Sequence, residues 1–286
     1  MASTSINAAQ KAPERAQYVI EHTRGWSSLG LNEFWEYREL LFFFLWRDIK
    51  GKYRQMALGP LWIFIKPVIS MVIFSIVFGE MVKVPSDNIP YPLFNYAALL
   101  PWNFFSTAVV TASGSLVGNM HLISKVYFPR ILVPLSSALA GIFDMAVAFL
   151  VLLGLMVYYR VQITWTVLTL PLFLLLAILL ALAVGLWAAS TNVMFRDVGF
   201  AISFGLVLWQ YLSPVVYSSS VVPEKWKFLY YLNPISGVID GFRWALLGTP
   251  PPPVLPLAIS SAFVVVALIT GAFFFRRTER TVVDLL

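Results

Sequence analysis

The sequence contains no cysteine, which removes disulfides, thiolate metal sites and cysteine nucleophiles and leaves the redox compartment unreadable. Charge is scarce: Asp, Glu, Lys and Arg make up 12% of 286 residues, against 59% apolar residues and a mean hydropathy of +0.78. So little polar surface cannot cover a soluble globule, and the solvent of this chain is lipid. Histidine occurs only as His22 and His121, far apart and outside the apolar runs, so no metal or histidine-centred catalytic site is expected. The phosphate-cradling pattern G-x-x-x-x-G-K-[ST] is absent, the nearest approach being Gly51-Lys52 followed by Tyr53, so the chain cannot hold a nucleotide itself. Carboxylates deep in apolar segments reduce to Asp144, whereas proton-coupled carriers and membrane-embedded transferases need acidic groups to load protons or hold a metal. Asp144 is expected to neutralise a basic group or hydrogen-bond to a neighbouring helix.

What remains is a succession of apolar runs, each near the roughly 20 residues that cross a bilayer: 61–82, 96–117, 133–159, 165–190, 199–219 and 254–275. The expected fold is therefore an all-α membrane protein with six transmembrane helices in one domain, 61–275. Fifteen Lys and Arg fall on the side shared by both termini and five on the other, which places both termini in the cytosol. The net charge of +6 is carried by these juxtamembrane clusters, so no nucleic-acid partner is expected. Met1 to Ala12 has no apolar core of the signal-peptide kind. Lys66, barely a turn inside its run, is expected to snorkel to the cytosolic interface. Gly114 and Gly118 form a small-xxx-small spacing that suits close helix approach but arises by chance in glycine-rich membrane chains.

Three flanking segments differ from the spans. Residues 1–31 form a polar arm and 276–286 a short tail. Over 32–58, Asn32 caps a helix in which Phe34, Trp35, Tyr37, Leu41, Phe42, Leu45, Trp46, Ile49 and Tyr53 recur at helical spacing, with basic residues interleaved and Gly51 as a possible kink. A basic helix with aromatics on its other face lies in the headgroup plane on the cytosolic side. The segment 220–253, too polar and proline-broken to span, reads as two short outer interfacial or re-entrant helices divided at Asn233-Pro234.

Specific residues carry a resemblance. The runs Arg47-Asp48-Ile49-Lys50-Gly51-Lys52-Tyr53-Arg54, Leu58-Gly59-Pro60-Leu61-Trp62 with Pro67, and Leu100-Pro101-Trp102-Asn103-Phe104-Phe105 come first. Asn192-Val193-Met194-Phe195-Arg196-Asp197-Val198, Ser213-Pro214-Val215-Val216-Tyr217, Pro223, Tyr231-Leu232-Asn233-Pro234 and Arg243 follow in the same order. Together they resemble the membrane (permease) subunits of bacterial polysaccharide ABC exporters: O-antigen permeases of the Wzm type, teichoic acid permeases and, more distantly, capsule permeases of the KpsM type. The resemblance implies a homodimer in the bacterial plasma (inner) membrane, working with two copies of a separate ATPase subunit that binds ATP and magnesium. It also implies a channel for a lipid-linked polysaccharide and no catalytic site on this chain. A related ABC permease exporting a drug or smaller lipid is the alternative.

On that frame, residue roles follow from chemistry. Cytosolic loops must carry the ATPase's motion to the spans, and the compact basic and aromatic set His121, Lys125, Tyr127, Phe128 and Arg130 is the expected docking surface. Arg196 and Asp197 in the other loop either pair to fix the turn or touch the partner. Sugars offer apolar C–H faces to aromatic rings, so Trp102, Phe105, Trp209, Tyr211 and Tyr217 are expected along the channel, with Ser106, Thr107, Ser113 and Ser213 as small polar companions. Trp226, Tyr230, Tyr231, Asn233 and Trp244 are expected at the outer gate, though aromatics there also serve as a plain anchoring belt.

Overall fold

The computed structural model describes residues 35–54, 59–126, 128–195 and 197–285, with side chains described as far as Glu279. Among these residues the structure is helical throughout, without strands. The elements are α1 (Arg38–Tyr53), α2 (Gly59–Met81), α3 (Tyr91–Gly118), α4 (Leu132–Tyr158), α5 (Trp165–Met194), α6 (Val198–Tyr211), α7 (Glu224–Tyr231), α8 (Pro234–Leu247) and α9 (Val254–Leu285). Asn32, the expected helix cap, lies outside the described residues, as do Tyr127 and Arg196.

Local chemistry sets the boundaries. Gly59, at φ 44°, takes a left-handed conformation open to glycine and hands over to Pro60. Pro90 and Pro92 open α3, Pro234 opens α8, and Gly248 at φ 69° closes α8 by donating its N–H to the Trp244 carbonyl. α1 runs through Gly51 without interruption. α4 is interrupted at Ala140, and the last turns of α2, Ser75–Met81, are π-helical.

Among the described residues, four helices are long and apolar enough to cross a membrane, by length and composition: α2, α4, α5 and α9 up to Glu279. The two other expected spans correspond to α3 and α6. α3 has 28 residues, 19 of them buried, including Asn95, Ser113 and Ser115. It carries polar groups because it faces its own chain rather than lipid: α2, α4, α5 and α8 all pack on it. α6 has 14 residues, about 21 Å at the helical rise, with Leu206 its only buried side chain.

α3 and α5 approach closely at Gly185, where a Cβ would stand 3.0 Å from that of Ala112. Gly114 and Gly118 meet nothing within 4 Å of where a Cβ would be, so the small-xxx-small spacing organises no helix contact among the described residues. α5 also packs along α9, where the Trp187 ring stacks on Phe274 at 4.6 Å and its indole N–H donates to the Ala267 carbonyl at 3.1 Å.

Candidate functional site

Two polar assemblies hold opposite ends of the bundle. At the first, α1 is fastened to α4 through two carboxylates, one from each helix. Asp48 of α1 accepts from the Ser137 hydroxyl at 2.9 Å and from Ser136 at 3.4 Å, while Arg47 pairs with it at 2.8 Å. Asp144 of α4 is held by the Lys52 ammonium and by the Tyr53 hydroxyl. Burial first, then the hydrogen bond to Asp144 and its charge, push the Tyr53 hydroxyl well above its usual range, so it stays a donor. Asp144 therefore does both things expected of it, and the helix that answers it is α1.

The 119–131 loop completes this end. Phe128 is 4% exposed and meets Phe44 of α1 edge-on, with ring centroids 5.3 Å apart. Its ring is enclosed by its own chain and presents no open face of the kind expected of a docking residue. The Arg130 amide donates to the Glu279 carboxylate at 3.0 Å, and its guanidinium donates to the Glu279 carbonyl, tying the loop to the end of α9. His121, Lys125 and Asp197 are exposed, as are the apolar Val126, Met194 and Phe195. Asn192 donates to the Ser113 carbonyl at 2.9 Å and thereby anchors the α5–α6 turn on α3.

The other end is organised by Arg243 of α8, 1% exposed in the chain. Its guanidinium lies 3.4 Å from the Phe94 ring centroid and donates to the carbonyls of Phe94 and Val215, each at 3.2 Å, and of Tyr217 at 3.4 Å. Asp240, one turn away, is 3.7 Å from it and accepts from the Tyr231 hydroxyl at 2.8 Å. Asn95 and Tyr91 of α3 donate to the Val215 and Val216 carbonyls at 3.0 and 2.6 Å. A segment with free backbone carbonyls cannot lie exposed in lipid, and these side chains let the buried residues 213–216 run non-helically inside the protein.

The aromatic expectations divide. Trp102, Phe105 and Trp209 form one column, with centroid separations of 5.7 and 5.1 Å. Trp102 and Phe105 are enclosed by their own chain, so they hold Trp209 in place and offer no open lining face. Ser106, Trp209 and Tyr217 are half-buried and Tyr211 is exposed. Asn233 accepts from the Trp209 indole N–H at 2.9 Å and donates to the Ser213 hydroxyl at 3.0 Å. Trp209, Trp226, Tyr230 and Asn233 share a cavity of about 600 Å³. Tyr231 is buried against Asp240, and Trp244 packs edge-on against Phe173 at 6.2 Å, so neither faces that cavity. Asp48, Asn95 and Asp240 had no expected role; the signal for the last was its spacing from Arg243, a charged i, i+3 pair in an apolar helix.

No metal-holding cluster of three or more His, Asp or Glu occurs among the described residues. A bundle of apolar helices, with a basic helix packed at one end and short aromatic helices at the other, is the architecture of a multi-pass membrane protein. The chain belongs to the ABC-2 type transporter family, whose profile matches residues 39–247. Membership implies a partnership with an ATPase subunit. The chain is 30% identical over 254 residues to the O-antigen export system permease protein RfbA of Myxococcus xanthus, covering 87% of this chain and 96% of that one. It is 27% identical over 198 residues to the protein of the same name from Klebsiella pneumoniae, covering 69% and 76%. Over 248 residues it is 24% identical to the polysialic acid transport protein KpsM of Escherichia coli, covering 82% and 91%.

Proposed function

We propose that this chain is the transmembrane subunit of an ATP-driven exporter that moves a lipid-linked polysaccharide out of the cytosol across the bacterial plasma membrane. The observation that carries this reading is the likeness to O-antigen permease RfbA over nearly the whole of both chains. In this reading the subunit spans the membrane six times, with α3 and α6 as the second and fifth crossings, and works as a homodimer with two ATPase subunits. α6 needs the non-helical segment that follows it, buried over 213–216, to complete its crossing, since its length falls short of the roughly 30 Å hydrocarbon core. The α1 end is then cytosolic and the α7–α8 end faces outward.

ATP binding closes the partner subunits, and the closure reaches the spans as rigid-body motion. The exposed His121, Lys125 and Asp197 and the apolar Val126 and Phe195 supply the docking surface. Phe128, Asp48 and Asp144 make α1 and α4 move together, and Arg130 passes the displacement to α9. Two subunits bring Ser106, Trp209, Tyr211 and Tyr217 to the polymer path, where flat rings hold sugars without fixing their identity.

Reconstitution with the cognate ATPase tests the reading. Hydrolysis is expected to be absent in the isolated chain, to require co-assembly of two copies of each subunit, and to rise with lipid-linked polymer. Stimulation by a smaller lipid or drug, with none by polymer, would shift the substrate to the class left open by the 28% likeness over 197 residues to the inner membrane transport permease YadH of Escherichia coli.

A further inference from the structure

Between α2 and α3 the chain passes through a short loop, 82–90, with an unusual backbone. Lys83, Asp87 and Asn88 stand at φ 57°, 52° and 62°, in the left-handed region that residues with a Cβ enter at a cost. These residues fold the loop on itself: the Val84 amide donates to the Phe78 carbonyl at 2.8 Å, and the Ile89 amide to that of Ser86 at 3.0 Å. Backbone strain persists where surrounding contacts over-determine it, and it collects in segments that switch conformation.

The side chain that holds this loop is Asp87. Its carboxylate accepts from the Ser218 hydroxyl at 2.5 Å and from the Ser220 hydroxyl at 2.9 Å. Both serines directly follow the residues whose carbonyls Arg243, Tyr91 and Asn95 fix to α3 and α8, so Asp87 fastens the loop to a firmly held part of the protein. The two kinds of fastening differ. Arg243 is buried together with Phe94 and Val215, whose carbonyls it holds. Asp87 is half-buried, Ser220 is exposed, and no Lys or Arg pairs with Asp87 among the described residues. A carboxylate held only by hydroxyls within reach of solvent exchanges them for water at small net cost.

On the near side of the loop, α2 offers little resistance. No side chain of its π-helical turns, Ser75–Met81, is buried. Gly79 lies against the Tyr91 ring, where a Cβ would stand 2.9 Å from the ring, so no side chain interlocks there. Nine loop residues extend to about 30 Å, ample for the end of α2 to move by a helix diameter while α3 stays in place.

We propose that Asp87 is a latch. While it holds Ser218 and Ser220, the end of α2 is kept against α3; when water replaces the hydroxyls, the loop extends, its left-handed residues relax and that end of α2 comes free. In the exporter reading this is the outer end, and release belongs to each cycle of ATP hydrolysis.

Two measurements test the latch. In the purified chain, trypsin cleaves after the exposed Lys83 only when the loop extends, and the cleavage rate follows the population of the open form. Asp87→Ala, and separately Ser218→Ala combined with Ser220→Ala, are each expected to speed cleavage about ten-fold, the population change that a hydrogen bond to a charged group supports. Cleavage after Lys225 in α7 is expected to stay unchanged. No acceleration at Lys83, or equal acceleration at both lysines, would overturn the proposal. In the assembled transporter, Asp87→Cys and Ser220→Cys in this cysteine-free chain are joined by a short reducible thiol cross-linker. ATP hydrolysis is expected to fall at least ten-fold on bridging and to recover on reduction. Hydrolysis indifferent to bridging, or a pair too far apart to bridge, would also overturn it, since a latch that never opens is a plain structural contact. If the unbridged assembly hydrolyses no ATP, the ATP-driven reading fails and cleavage at Lys83 alone decides the latch.

Discussion

Arg243 shows why a guanidinium suits a buried position where an ammonium does not. It is planar, so one face stacks on Phe94 while its edge reaches carbonyls in three directions, and Asp240 partly offsets its charge. The same helix carries a purely steric constraint two residues earlier. A Cβ on Gly241 would stand 2.1 Å from the Phe173 ring, itself buried between α8 and α5. Overpacking of this kind costs about 1–3 kcal/mol. Gly241→Ala is therefore expected to lower the unfolding temperature of the purified chain, and truncating Phe173 in the same chain to recover part of the loss. An unchanged midpoint in Gly241→Ala would show that the ring yields freely.

Among the elements, α1 is held by rings as well as by charge. Asp48 and Asp144 fix its register on α4, and the Phe44–Phe128 pair closes the gap over the 119–131 loop. Edge-to-face pairs contribute about 0.5–1.5 kcal/mol beyond burial. A double-mutant cycle with Phe44→Ala and Phe128→Ala, followed by thermal unfolding of the isolated chain, is expected to return a coupling energy in that range. Additive effects would mean that the rings do not support one another. This pairing was not legible in the sequence: a loop residue among His121, Lys125 and Arg130 reads as surface, and only the fold shows that α1 returns to cover it. The division of α7 from α8 was legible, because Pro234 disfavours a helical conformation at Asn233, which sits at φ −73°, ψ 107°.

For the whole molecule, composition alone gave the solvent, and continuous apolar runs gave α2, α4, α5 and α9. α3 and α6 were harder for opposite reasons. α3 is polar because its neighbours are protein, and α6 is short because irregular backbone continues it. The proposed six crossings are tested by single cysteines in this cysteine-free chain. Ser5→Cys and Thr281→Cys are expected to react with a membrane-impermeant maleimide only from the cytosolic side, and Ser219→Cys only from outside. Labelling of Thr281→Cys from outside would give an odd number of crossings.

The burial of α3 bears on how such a machine moves. A helix gripped along its length by five others behaves as a stator, since displacing it would strip a large share of the protein's internal contacts at once. Movement therefore belongs to the parts with little holding them. α2 has 11% of its most apolar window buried, a proline at 67 and loosened π turns at its end, and α6 keeps a single side chain inside. Both can swing like doors on a fixed post, at less cost in lost packing than α4, α5 or α9.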